Sequence, residues 1–200
     1  MIYALLGAIA VGIGGGYLWL DVSDKPLLDT VLMTALDFMV LVAGIEIGSN
    51  RQLLQRICTP QNMALAVAIP AAVIIGSFAG GCLSSLFTGL SLYDSLLVTS
   101  GLGWYSLSSV VVSTMYSTEL GAISFLSNML RETSSFILIP LLARWNKLLC
   151  IAPGGAGAMD SLLPLTIKST DMRTGMFSFI SGLVLSLIVP LLLSLLLSWR

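Results

Sequence analysis

The 200-residue chain contains no histidine. That excludes an imidazole-built metal site and an imidazole proton relay. Charge is nearly as scarce: Asp, Glu, Lys and Arg make up 10% of the residues, where a soluble domain carries about 25%. No polar stretch outgrows a loop, so no soluble domain fits anywhere. The net charge of -1 excludes the basic footprint of a nucleic-acid binder. The three cysteines, Cys58, Cys82 and Cys150, form no CxxC pair and read as small apolar packing residues. There is no HExxH, and no Ser-Lys pair at helical spacing, so little points to an intramembrane enzyme.

What fills the chain is apolar. Hydrophobic residues are 56% and the mean hydropathy is +0.99, which marks an integral membrane protein. A crossing helix needs about 20 apolar residues. Residues 2–20, 31–48, 62–88 and 174–199 meet that length, and 120–143 meets it despite an internal Arg-Glu pair. Residues 1–20 lack a basic start and a small-x-small cleavage site, so they read as a retained span rather than a leader. Segments 95–116 and 154–170 differ in kind, being Gly- and Ser-rich and interrupted. The expected fold is one all-α transmembrane module over 1–200, with about five transmembrane helices plus two re-entrant or broken helices.

Loop charge orients the spans. The loop holding Asp21, Asp24 and Asp29 has one Lys25 and suits the outside, as does the connection ending at Asp94. Arg51 with Arg56, Arg144 with Lys147, and Lys168 with Arg173 suit the cytoplasm. These assignments agree when both short segments return to the side they enter from. If both cross instead, the cluster at Arg144 and Lys147 moves outside. Trp19 and Trp199 read as interface anchors.

The polar residues gather in three places. In "TSGLGWYSLSSVV", Gly101 and Gly103 interrupt the helix, and Trp104, Tyr105 and Ser106 supply aromatic rings and a hydroxyl. In "APGGAGAMDSLLPLTIK", three glycines read as a non-helical approach, Asp160 as the N-cap of a short helix and Pro164 as part of its first turn. Each stretch alone also reads as an ordinary loop. Together they resemble the discontinuous elements of a transporter site, since non-helical backbone survives at membrane depth only when buried or lining a wet cavity. In the 120–143 helix, Ser124, Asn128, Glu132 and Ser135 share one face by their i, i+4, i+8, i+11 spacing. Arg131 borders that face. Neighbouring helical residues point about 100° apart, so Arg131 and Glu132 do not pair with each other; Arg131 reads as a counter-ion to another group. Asp37 and Glu46 are weaker candidates, a bundle contact and a headgroup-level acid.

The motifs "GLGWYSLSSVVV", "FLSNMLRETSSFILIP" and "GGAGAMDSLLPL", in this order and before an apolar final span, resemble the bacterial lysine exporters of the LysO type. "LVAGIEIGSN" is similar to a helix end of that family, and the resemblance covers roughly residues 30–200. It implies a multi-pass exporter of L-lysine in the bacterial cytoplasmic (inner) membrane, active also on a toxic lysine analogue. It also implies that the acids matching Glu132 and Asp160 matter for transport. Full-length members carry an additional amino-terminal group of spans. The chain therefore resembles the carboxy-terminal module, completed by a small amino-terminal membrane subunit or by a second copy of itself.

Residues and resemblance meet in one expectation. Glu132 and Asp160 each receive an ammonium of lysine, and the amides and hydroxyls of Gly101–Ser106 receive its carboxylate. Either acid also suits proton exchange, so proton-coupled antiport is expected. A sodium-coupled transporter on a similar scaffold and a non-transporting membrane subunit are the alternatives. No cofactor is expected beyond the driving proton or sodium gradient, and the other partner is membrane lipid.

Overall fold

A computed structural model describes residues 60–199 continuously, together with positions 7, 11, 14–17, 27, 30, 31, 34, 38, 41 and 45. The spans expected at 2–20 and 31–48 lie mostly outside the described residues, as do Trp19, Asp37 and Glu46. Among the described residues the structure is all helical, with no strand. The order is α1 Pro60–Thr88, α2 Leu92–Thr99, α3 Tyr105–Met115, α4 Thr118–Leu142, a 3₁₀ segment Leu149–Met159, α5 Leu163–Ser169 and α6 Met172–Ser198.

The termini follow local chemistry. Ser91 opens α2 by accepting the Asp94 amide. Ser117 does the same for Leu120 in α4, and Asp171 for Thr174 in α6. Such caps satisfy amides that a helix start leaves unpaired. Two helices, Asn62–Thr88 and Met172–Ser198, have mean hydropathies of 2.1 and 2.6. Each has 27 residues, about 40 Å at 1.5 Å per residue, more than a hydrocarbon core of about 30 Å. α4 has 25 residues and matches that length, but carries Glu119, Arg131 and Glu132.

Two sets of contacts, at opposite ends, fix the topology. At one end, Tyr116 Oη donates to Asp94 Oδ1 at 2.6 Å, and the two rings of Tyr93 and Tyr116 stand 5.7 Å apart. The start of α2 and the end of α3 therefore meet, and Tyr93 Oη adds the end of α6 by donating to Leu196 O. At the other end, Lys147 Nζ lies 2.7 Å from Asp171 Oδ2, and Arg173 donates to Asn62 Oδ1. The residues flanking the second interrupted segment, 148–170, thus also meet. Each interrupted segment returns to the end where it starts, and the two start from opposite ends.

The core splits the same way. Val73, Leu97, Leu102, Val112, Leu120, Leu185, Val189 and Leu193 form one buried cluster. Ala66, Ile139, Cys150, Ile151, Ala158, Leu162 and Phe177 form another. Outer apolar residues such as Leu86, Leu187 and Leu191 stay exposed, as a lipid-facing surface requires.

Candidate functional site

The interruption after α2 runs from Ser100 to Trp104. Leu102, a buried non-glycine residue, sits at φ 47, in the left-handed region that costs an L-residue of order 1–3 kcal/mol unless its surroundings enforce it. Gly103 follows at φ 96. The second interruption falls at Gly155, φ 56 and ψ -132. The 154–157 stretch is therefore not the open approach that its glycines suggested. It is 3₁₀ helix with a single kink. At the kink the two tips touch: Ala156 N donates to Leu102 O at 2.9 Å. A Cβ on Gly155 would overlap that same carbonyl, so the crossing needs glycine for both its φ and its space.

α4 fastens both tips. Asn128 Oδ1 accepts from Gly103 N at 2.8 Å, while its Nδ2 donates to Val98 O and Ser124 O. Ser124 Oγ in turn donates to Ser108 Oγ on α3. Three residues after Asn128, Arg131 donates through Nε to Pro153 O at 3.0 Å and through Nη2 to Ala152 O at 3.1 Å. Its Nη1 donates to Ser77 Oγ on α1 at 2.8 Å. Arg131 was expected to be a counter-ion. In the structure its planar fork binds two carbonyls of the second tip and a serine of α1.

Glu132 points elsewhere. Ser161 Oγ donates to Glu132 Oε1, and Ser161 N donates to Asp160 Oδ1. All three oxygens surround Gly157. From the point where a Cβ would stand on Gly157, Ser161 Oγ is 3.4 Å away, Asp160 Oδ1 3.6 Å and Glu132 Oε1 3.7 Å. The three residues are half-buried. The two carboxylates thus border the same space left free by the missing side chain of Gly157. Asp160 does not cap the following helix, contrary to the reading from sequence. α5 starts at Leu163 behind Leu162, with no side-chain cap, and Pro164 sits in its first turn. Asp160 is thereby left to face Glu132.

The other expected residues divide. Tyr105 lies within electrostatic reach of both Glu132 and Asp160, and its ring meets Phe125 of α4 edge-on at 5.4 Å. Trp104 packs against the first core cluster, and Ser106 is exposed. The amides of Leu102, Gly103 and Trp104 are bonded to Thr99 O, Asn128 Oδ1 and Gly101 O. They have no proton left for a substrate carboxylate. Ser124 and Asn128 are buried among these bonds rather than open to a cavity. Sequence reasoning missed Ser161 and Ser77. Ser161 had one signal, its place directly after Asp160. Ser77 had only its hydroxyl in an apolar span. Among the described residues, no cluster of His, Cys, Asp or Glu fits a metal ion.

Long apolar helices, charged groups at both ends and a polar centre built on interrupted backbone define an α-helical membrane protein of the transport class. Comparison supplies the family. The family model described as lysine exporter LysO matches residues 6–197, and the chain belongs to that family. It is 33% identical over 192 residues to a Haemophilus influenzae protein whose name provisionally makes it a lysine exporter, covering 94% of each chain. It is 26% identical over 156 residues to the Escherichia coli protein named lysine exporter LysO, covering 78% of this chain and 51% of that one. The match to the Escherichia coli protein thus spans about half of that relative's length. No solved structure matches.

Proposed function

We propose that this chain is a secondary transporter that exports L-lysine across the bacterial cytoplasmic membrane by proton-coupled antiport. The carrying observation is the convergence of Glu132 Oε1 and Asp160 Oδ1 around Gly157. Two acids that share one small space suit a cation, and ionisable groups at membrane depth mark substrate and ion paths. A lysine ammonium supplies the positive charge, and a proton replaces it on the return. The names of the relatives support lysine as the substrate. In this reading the chain is multi-pass with five spans, and 92–116 and 148–170 re-enter the membrane from opposite faces. The basic end of Lys147 and Arg173 faces the cytoplasm, in line with the excess of Lys and Arg on cytoplasmic loops.

The test is lysine efflux from loaded vesicles. Glu132→Gln and Asp160→Asn are each expected to lower the rate at least tenfold, and an imposed proton gradient, not a sodium gradient, is expected to drive it. Full efflux in both variants sinks the assignment of the acids, and a response to sodium alone sinks the coupling. Growth in a toxic lysine analogue, with and without a co-expressed amino-terminal subunit, tests whether the chain works without one.

A further inference from the structure

Ser161 has no role in the reading above, yet it is the residue that joins the two acids. Its hydroxyl donates to Glu132 and its amide to Asp160, and its Oγ is one of the three oxygens surrounding Gly157. From this geometry we infer that Ser161 is a stand-in donor, a positioning residue that occupies the acidic pair when no substrate is bound. The inference rests on the proposed lysine site and deepens it.

The reasoning starts from cost. A half-buried carboxylate without a donor is unfavourable, and hydrogen bonds to a charged acceptor are among the stronger ones. An empty transporter must still hold its two acids together while it resets. Ser161 supplies one donor to each, from its amide and its hydroxyl. A serine hydroxyl carries a single proton and turns freely about its C–O bond. An arriving ammonium, with three donors and a full charge, takes over Glu132 Oε1 and displaces that proton. An interaction present only in the empty state stabilises that state and lowers substrate affinity by its own worth. Ser161 therefore sets how readily lysine is released, which an exporter needs more than tight capture.

The consequence has a sign that a merely structural serine does not give. Removing the hydroxyl raises the free energy of the empty protein more than that of the loaded one. Ser161→Ala is expected to bind L-lysine about tenfold more tightly, the factor that corresponds to about 1.4 kcal/mol. It also turns over more slowly, so KM and the maximal rate fall together. Ser161→Thr keeps the donor and behaves as the unaltered protein. Ser161→Cys, a weaker donor of similar shape, shifts in the same direction by less and stands in if the alanine variant does not fold.

The experiment is equilibrium binding of radiolabelled L-lysine to the purified full chain in detergent, with Glu132→Gln in parallel. Tighter binding by Ser161→Ala or Ser161→Cys, with Glu132→Gln binding little, supports the inference. Unchanged or weaker binding in the serine variants, while Glu132→Gln still loses lysine, overturns the stand-in role and leaves the acidic site in place. Full binding by Glu132→Gln overturns the site and the stand-in role with it.

Discussion

Asn128 and Arg131 stand three residues apart on α4, and each ties down a different break in the chain. Asn128 holds the tip at Gly103, and Arg131 holds the tip at Ala152 and Pro153. One helix face thus sets the distance between two segments that come from opposite ends. Glu132 projects from the same turn, so the acid's position relative to the tips is fixed by its neighbour's bonds.

Loss of the Arg131 fork is expected to cost folding before function. Arg131→Met removes the donors to two carbonyls and to Ser77, at about 1–3 kcal/mol for each buried group left unpaired. Arg131→Lys keeps the charge but not the planar fork, and restores only part of the loss. A melting temperature in detergent roughly 10 °C below that of the parent protein is the expected reading, on the scale where 1 kcal/mol moves a chain of this size by about 2–4 °C. An unchanged melting temperature contradicts the stitching role.

Two glycines of one motif are expected to fail differently. Gly155→Ala meets the Leu102 carbonyl and a left-handed backbone, so little folded protein is expected. Gly157→Ala meets the site oxygens only at ordinary contact distances, 3.4–3.7 Å. It is expected to fold and to bind lysine at least tenfold more weakly, because an apolar methyl then crowds the space that the two carboxylates border. Size-exclusion profiles and a binding isotherm on both variants separate the two effects.

The returning topology is testable by labelling from one side at a time. In a cysteine-free background, single cysteines at Ser91 and Ser117 are expected to react with an impermeant thiol reagent from the same face of the membrane. Cysteines at Asn146 and Thr170 are expected to react only from the other. If Ser91 and Ser117 are labelled from opposite faces, the contact between Asp94 and Tyr116 does not describe the protein in a bilayer.

Asp171 links stability to pH outside the spans. Burial pushes its carboxyl up, but hydrogen bonds from Lys147 and Thr174 outweigh that and hold it below the usual carboxylate range. A group whose pKa is depressed by folding stabilises above its unfolded value, near 3.9, and that contribution fades as pH falls through the folded value. Both partners are well exposed, at 61% and 41%, so the ion pair itself is worth little and less in salt. The cap on Thr174 is the larger part. Asp171→Ala is expected to lose about 1 kcal/mol at pH 7, with the gap to the parent protein narrowing as the pH falls below the usual carboxylate range, as followed by thermal melts at descending pH.

Much of this was legible in the sequence, and for physical reasons. Apolar runs mark α1, α4 and α6 to within two residues, because a membrane demands length and hydropathy. The glycines at 101–103 and 154–157 mark the two breaks, because only glycine tolerates the backbone there cheaply. The shared burial of Ser124, Asn128 and Ser135 followed from helical spacing. The partners did not follow. Nothing local says that Arg131 reaches carbonyls 21 and 22 residues away, or that the amides of Leu102, Gly103 and Trp104 are already spent. Asp160 misled because an acid before a proline imitates a helix cap, while the chain delays the helix to Leu163 and leaves the carboxylate for the site.

The single backbone bond from Ala156 to Leu102 joins the deepest points of two loops that approach from opposite ends. Main chain, rather than side chains, therefore closes the place where the two loops meet. The proposed lysine path runs beside this junction, along the flank where Gly157 omits a side chain. In the proposed transport, the acids act on that flank as a tollgate rather than as the lining of an open channel.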